Sequence, residues 1–386
     1  MIEKYYSGVI EQIYNRIGKE TRNIVMANYS NDFSIENLEV IRRYQSNEDN
    51  VFFAYSEFSY NTLVGAYEPF LDIICNMHRR FIGGSFDDFQ KECGVYYLHR
   101  QVLNSYYETG ECFREETVLL NEVAYEQRRM TMAIADMLKK LSEVKPLMIV
   151  INRFQMASKS SIETIKYLID NPCANIGIVL GVNAIVKGTD STVEVWDRIV
   201  ESLEDRSAIY YIGSAGPLKN NVKTTNDDEL YITMNFEQSI QEASNIMEFL
   251  DFEQARRGCR IIEHKLKFED AWIDEKSLRR FYMVYARTSV LLGEMSKAIE
   301  LTNEYKALIP ENDSEHYLSL YYFMKGTCYM YQGKLEKAGN SAKSAYDYAV
   351  LAEDDTLIFK AELLSVMIKM SGWYNIFFCV QDIPVS

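Results

Sequence analysis

The sequence predicts a parallel α/β domain followed by an all-helical repeat array. Residues 147–151 form a continuous apolar run rich in β-branched side chains, with an amphipathic helical pattern on either side. A second apolar run, residues 176–182, follows, so helix, strand, helix and strand alternate as they do around a parallel sheet. From residue 236 onward the periodicity is helical throughout, and a glycine-centred segment recurs at Gly293, Gly333 and Gly372.

Taken in order, residues 3–17 carry Tyr6, Val9, Ile10, Ile13 and Ile17 at helical spacing, and residues 23–27 read as a short strand. A polar loop, 28–34, ends at Ser34, placed to cap a helix whose apolar face is Ile35, Leu38 and Ile41. A strand at 51–55 follows, then a mostly helical stretch, 60–145, in which Pro69 suits an early helical position. Its last helix, 130–144, presents Met130, Ile134, Met137, Leu138 and Leu141 on one side. After the strand at 147–151, Ser160 and Ser161 are placed to cap a helix with Ile162, Ile165, Leu168 and Ile169 on its inner face. The strand at 176–182 ends in Asn183; a helix at 193–203 and a strand at 208–212 complete the sheet.

Composition narrows the function classes. The 386 residues suffice for two or three domains, and 47% hydrophobic with 25% charged residues is ordinary for a globular protein. A net charge of −15 and a pI near 4.9 weigh against nucleic-acid binding through a basic surface, so no direct nucleic-acid binding by this chain is expected. No apolar run approaches the roughly 18 residues of a membrane span, and the N-terminal residues lack a signal-peptide pattern. Seven scattered cysteines without a Cys-x-x-Cys pair, and four histidines apart from them, read as free thiols. A cytoplasmic protein without metal or membrane contact is expected, and an oligomer is compatible with the sequence.

The stretch from Lys145 to Ser158 resembles the second nucleotide motif, the Walker B region, of the signal-transducing P-loop ATPases (the STAND class). The likeness is closest to the ATPase-like domains of LuxR-type and MalT-like bacterial transcriptional regulators. It implies a P-loop-NTPase-like domain over residues 1–215. The family's apolar strand ends in two acids, which here are Asn152 and Arg153, and its later Asp is Ser158. A working P-loop, Gly-x-x-x-x-Gly-Lys-[Ser/Thr], wraps phosphates with backbone N–H groups, reaches them with Lys and binds Mg²⁺ through the hydroxyl. Aligned by element order, the two glycines fall at Asn28 and Phe33, the Lys at Ser34 and the hydroxyl residue at Ile35; no Gly or Lys stands between Thr21 and Arg42. The family's sensor strand corresponds to the run ending at Asn183, and residues 64–74 match its Tyr-x-Pro-Phe element. The resemblance thus implies a vestigial, non-functional nucleotide pocket of Asn28, Asn31, Phe33, Ser34, Ile35, Asn152, Arg153 and Asn183, with no catalysis, no metal and no cofactor. The family's helical lid and winged helix would be reduced to residues 216–235, a linker or reduced lid.

Residues 236–386 carry a tetratricopeptide-like repeat. Segments 292–299 and 332–339 share a Gly followed by an Ala five positions on, Gly293 with Ala298 and Gly333 with Ala338; 370–376 echoes them around Gly372, and 250–256 is a worn copy. The glycine makes a tight turn and the alanine lets the second helix pack closely. Spacings of 40 and 39 exceed the usual 34 and are similar to the MalT-like sensor superhelix. The array is expected to bind a protein or small-molecule effector; Tyr321, Tyr322, Tyr329, Tyr331, Tyr346 and Tyr348 lie in this part, to be shared between packing, the commoner role of such residues, and the lining of a ligand or peptide groove. Its apolar end implies that more repeats follow, and no basic helix-turn-helix is visible.

The expectation is a non-catalytic signalling module of a LuxR/MalT-like regulator, combining a pseudo-ATPase scaffold with a repeat region. The alternatives are a nucleotide sensor that does not hydrolyse, and a tetratricopeptide adaptor with no DNA-binding role. No Ser-His-Asp, Cys-His or metal-ligand spacing suggests another enzyme.

Overall fold

The computed structural model describes residues 2–29, 38–46, 50–58, 63–112, 122–183, 186–187, 209–211, 223–224, 235–268, 273–312 and 314–379. They fall into two compact units, Met1–Lys265 and Leu266–Ser386. The expected helix at 193–203 and most of the 216–235 linker lie outside the described residues.

The first unit is built on a parallel sheet with strands in the order β2 (Phe52–Glu57), β3 (Leu147–Asn152), β4 (Ile176–Asn183), β1 (Ile24–Tyr29) and β6 (Ile209–Tyr211). Two-residue strands β5 (Val186–Lys187) and β7 (Lys223–Thr224) pair separately. All six residues of β3 are buried, which is why its sequence is a continuous apolar run rather than an alternating one. Met148 and Val150 face a core formed with α1 (Ile2–Arg16) and α2 (Glu39–Ser46), which contribute Tyr6, Val9, Ile10, Ile13, Val40 and Ile41. Leu147, Ile149 and Ile151 are equally buried and, by the period of the strand, face the other side. The Tyr6 hydroxyl donates to the Ala27 carbonyl at 3.0 Å. α1 crosses β4 at Gly177, where a Cβ would stand 2.8 Å from Ile17 and 2.9 Å from Ile13, so only glycine permits the approach.

The stretch expected to be mostly helical resolves into α3 (Phe70–Met77) with a π-turn at His78–Ile82, then α4 (Phe86–Glu92), α5 (Tyr97–Thr109) and α6 (Val123–Val144). α6 buries the five apolar residues read from its periodicity, and α7 (Lys159–Asp170) buries Ile162, Ile165, Leu168 and Ile169. The cap of α7 differs from the expectation. Ser158, in extended backbone, accepts from the Ser161 N–H, so Ser160 and Ser161 already lie in the first turn.

The boundary between units also differs. α8 (Phe236–Glu248) and most of α9 (Phe252–Phe268) belong to the first unit, not to the C-terminal array that was expected to begin at residue 236. Ile240, Ile246, Met247, Phe249 and Phe252 are buried there.

The second unit packs α10 (Glu275–Leu291) against α11 (Met295–Ala307), α12 (Glu315–Tyr331) against α13 (Leu335–Leu351), and α14 (Asp355–Cys379) against α13. Gly293 and Gly333, at φ 77° and 73°, close α10 and α12. In each turn the glycine N–H bonds the carbonyl three residues back and the next N–H reaches five back, satisfying carbonyls that a helix end leaves open. Ala298 and Ala338 are wholly buried, and Gly326 brings α12 close to the Ala338 carbonyl of α13. Gly372 does not form a third such turn: it lies inside α14, which continues to Cys379. The turn of the same geometry is at Glu353, φ 53°, between α13 and α14.

Candidate functional site

In an open parallel sheet, ligands sit beyond the carboxyl ends of the strands, where the connections leave neighbouring strands in opposite directions. Here β1 leads to β2 at one edge, whereas β4 leads across β1 to β6. The crevice therefore opens between β1 and β4. Their register sets Asn28 beside Val182 and Tyr29 beside Asn183, so Asn28 and Asn183 stand at the switch point. Asn31, Phe33, Ser34 and Ile35 lie outside the described residues.

Asn152 and Arg153 end β3 next door. Asn152 is wholly buried, and its Oδ1 lies 2.7 Å from where a Cβ on Gly181 would be, so this side chain lies across β4 through the gap the glycine leaves. Arg153 is in left-handed backbone, φ 55°, which bends the chain into a single 3-10 turn at Phe154–Met156. Its guanidinium lies 3.1 Å from Glu57 Oε1, with the two side chains only 20% and 18% exposed. The Tyr55 hydroxyl donates to Glu57 Oε2 at 2.6 Å. Glu57 is placed by the β2–β3 register, which sets it opposite Asn152. Position 153 thus supplies a cation that neutralises Glu57, where Mg²⁺ coordination would need carboxylate oxygens.

A polar knot ties the start of α7 to α9. Ser158 Oγ lies 3.0 Å from Ser160 Oγ and 2.9 Å from Ser161 Oγ. The Tyr67 N–H donates to Ser160 Oγ and Ser161 Oγ donates to the Glu68 carbonyl, which fixes the Tyr-x-Pro-Phe segment. Asp251 completes the knot. One carboxylate oxygen accepts from the Ser160 N–H at 3.0 Å, at the N-terminus of α7, and the other from the Gln254 N–H, in the first turn of α9. Burial pushes the Asp251 carboxyl up, against the lowering effect of these donors. Gln254 Nε2 donates to the Val64 carbonyl, and Asn245 of α8 bonds both the Cys112 N–H and the Gly110 carbonyl.

Between these segments lies a cleft of about 360 Å³ bordered by Glu57, Glu68, Asp72, Tyr106, Glu242 and Phe249. Among the described residues, no Lys, Arg or His lines it. Gly65 brings two of its acids together: a Cβ there would stand 3.0 Å from Glu242 Oε1 and 3.4 Å from Glu68 Oε2. The Gly65 N–H donates to Glu68, and the Tyr106 hydroxyl donates to Asp72 at 3.2 Å. Burial, with Glu68 and then Asp72 nearby, pushes the Glu242 carboxyl up to about 7. The same burial raises Glu68. Such a cleft repels phosphate and favours a neutral or cationic donor.

Of the sequence-predicted residues, the structure brings Asn28, Asn152, Arg153 and Asn183 to one end of the sheet. Gly293, Ala298, Gly333 and Ala338 lie in the second unit, where the two glycines make left-handed turns and the two buried alanines serve packing. Sequence reasoning missed Glu57, Glu242 and Asp251. A signal existed for Asp251, because Asp-x-x-Gln at 251–254 has capping-box spacing; Glu57 and Glu242 depend on register and packing that no local pattern encodes.

No protein-family model matches the chain, and no curated protein matches it in sequence.

Proposed function

We propose that the chain is a non-catalytic signalling module of the LuxR/MalT-like regulator type. In this reading its first unit is a P-loop-ATPase-like scaffold without phosphate chemistry, and its second unit is a tetratricopeptide-type array that takes a protein or small-molecule effector. The observation that carries the reading is the Arg153–Glu57 ion pair at the end of β3. Phosphoryl transfer needs a cradle for the phosphates, a metal-anchoring acid and a residue that positions the nucleophile. A guanidinium paired to the nearest strand-end carboxylate offers Mg²⁺ no open acid. The strand order, with its crevice between β1 and β4, supports the scaffold part of the proposal. The turns at Gly293 and Gly333 support the repeat part.

The test is thermal unfolding of the purified chain with millimolar Mg-ATP or Mg-ADP. A ligand at a hundred times its Kd stabilises the native state by about 2.7 kcal/mol, which moves the midpoint by several degrees. The expected result is no shift with either nucleotide. A Mg²⁺-dependent rise would overturn the proposal and make the first unit a nucleotide sensor.

A further inference from the structure

α4 and α5 form a flap between left-handed glycines. Gly83 and Gly84, at φ 67° and 73°, join the π-turn to α4, and Gly110, at φ 75°, ends α5. A Cβ on any of the three would meet nothing within 4 Å, so backbone conformation rather than packing calls for glycine there. Two such residues in succession make a joint about which a helix pair can swing.

The flap closes on one side chain. His78, wholly buried in the π-turn, lies among Phe86 and Phe89 of α4 and Tyr107 of α5, with ring centroids 5.0, 5.2 and 5.4 Å away. Its Nδ1 stands 3.1 Å from the Tyr107 hydroxyl, whereas its Nε2 is buried with no hydrogen-bond partner among the described residues. The Arg79 guanidinium lies over the Tyr107 ring at 4.4 Å and donates to the Tyr107 carbonyl. A neutral imidazole fits this cage. A protonated one would present two N–H donors to a single partner, with a like charge alongside. Aromatic faces attract cations, but Tyr107 already holds Arg79. Of the titratable and charged groups, Arg79 of the π-turn and Tyr107 of α5 face the ring. α4 turns Phe86 and Phe89 to it, while Asp87 is bound to Lys91 and Arg100, and Asp88 to Lys91. Asp72 of α3 is engaged by the Tyr106 hydroxyl. Burial, then the Arg79 charge, hold the imidazole below its ordinary value of 6.5. We propose that His78 is an acid-sensitive latch: a proton taken from solvent expels the imidazole from its cage, and the α4–α5 flap swings away about Gly83 and Gly84. The residue beside Tyr107 carries the motion onward. Tyr106 borders the acidic cleft and donates to Asp72 at 3.2 Å, so a loosened α5 opens the cleft from that side.

Hydrogen exchange of the full chain, followed from about pH 7.5 to about pH 5.5 and corrected for the intrinsic rate, tests this. The open flap binds one proton more than the closed one, so its population rises as pH falls below the free imidazole value, by up to about tenfold over this interval. The expected result is that rise at the α4 and α5 amides, with α1 unchanged. It should be lost in His78→Gln, whose amide can hydrogen-bond Tyr107 but does not titrate. Neighbouring groups act in the opposite sense: a proton on His99 strengthens its 3.0 Å contact with Glu126, and a proton on Glu242 relieves the repulsion in the cleft. The difference between the parent chain and His78→Gln therefore isolates the latch, and no difference between them would overturn the proposal. Should that variant not fold, the parent chain decides alone. Its His78 ring resonance is expected to titrate below 6.5, at the midpoint of the α5 exchange; a ring that titrates at 6.5 or above would overturn the latch.

Discussion

Glu353 and Leu250 hold the same strained conformation, φ 53° and 69°, at the ends of two helices, yet replacing them with glycine should have opposite effects. Left-handed backbone costs an ordinary residue roughly 1–2 kcal/mol, and glycine returns about half of that gain through the greater freedom of its unfolded chain. Glu353 is exposed, so nothing else is lost. Glu353→Gly should therefore stabilise the chain by roughly 0.5–1 kcal/mol in urea unfolding. Leu250 is 2% exposed, and removing its side chain forfeits about 2–3 kcal/mol of burial, more than the strain relieved. Leu250→Gly should destabilise. Gly181 presents the converse problem: a methyl group there would press on Asn152 Oδ1, itself held in a buried site. Gly181→Ala should cost about 1–3 kcal/mol, as overpacking does, and a neutral result would mean that Asn152 is free to turn away.

At the scale of elements, Asp251 is the joint between the α/β layers and the α8–α9 pair. It caps its own helix, α9, through the Gln254 N–H and reaches across to the first turn of α7 through the Ser160 N–H. Asp251→Ala leaves both donors buried without this acceptor, at a cost of about 1 kcal/mol for each cap and more for the desolvated N–H groups. The expected loss is about 2–4 kcal/mol, with hydrogen exchange accelerated at Ser160 and Gln254 and unchanged in α1. Uniform acceleration, or none, would show that Asp251 does not join the two helices. This joint also marks how far the sequence could be read. The strands of the sheet were legible because a strand covered on both faces must be apolar throughout, as 147–151 and 176–182 are. The glycine turns at 293 and 333 were legible because a left-handed residue with no Cβ is a local requirement. The assignment of α8 and α9 to the first unit was not, because an amphipathic face declares that it is covered and not by what. The same limit hid the Glu57–Arg153 pair, whose partners meet only through the β2–β3 register. Gly372 misled for a related reason: a glycine tolerated inside a helix looks, in sequence, like one that ends it.

For the whole molecule, the dominant electrostatic fact is an acidic chain, net −15, that also gathers Glu68, Asp72 and Glu242 into a cleft whose lining, among the described residues, includes no Lys, Arg or His. Glu242 carries the largest consequence. Its carboxyl is raised from 4.5 to about 7 in the folded chain, mainly by burial and then by Glu68 and Asp72. Between those values the native state holds a proton that the unfolded chain has released, so stability falls as pH rises through this window and stays lower above it. A shift of this size sets an upper bound of ~3 kcal/mol on the loss between pH 4.5 and 8. Glu68 is raised by the same cause and adds to the loss in the same direction. Repulsion among the chain's other acids also grows with pH, but it acts over the exposed surface and is screened by salt within about 8 Å at physiological ionic strength. The two contributions can therefore be separated. Urea unfolding from pH 5 to 8 should show a decline that persists in high salt for the parent chain. Glu242→Gln, which keeps the shape and removes the titration, should lose most of that salt-resistant decline and be more stable than the parent at pH 8. A parent chain whose stability is flat across this range would mean that Glu242 is already ionised in the folded state over this range. Titrating the chain with a simple amine at pH 8 and following its unfolding midpoint would then show whether a bound cation supplies the missing charge.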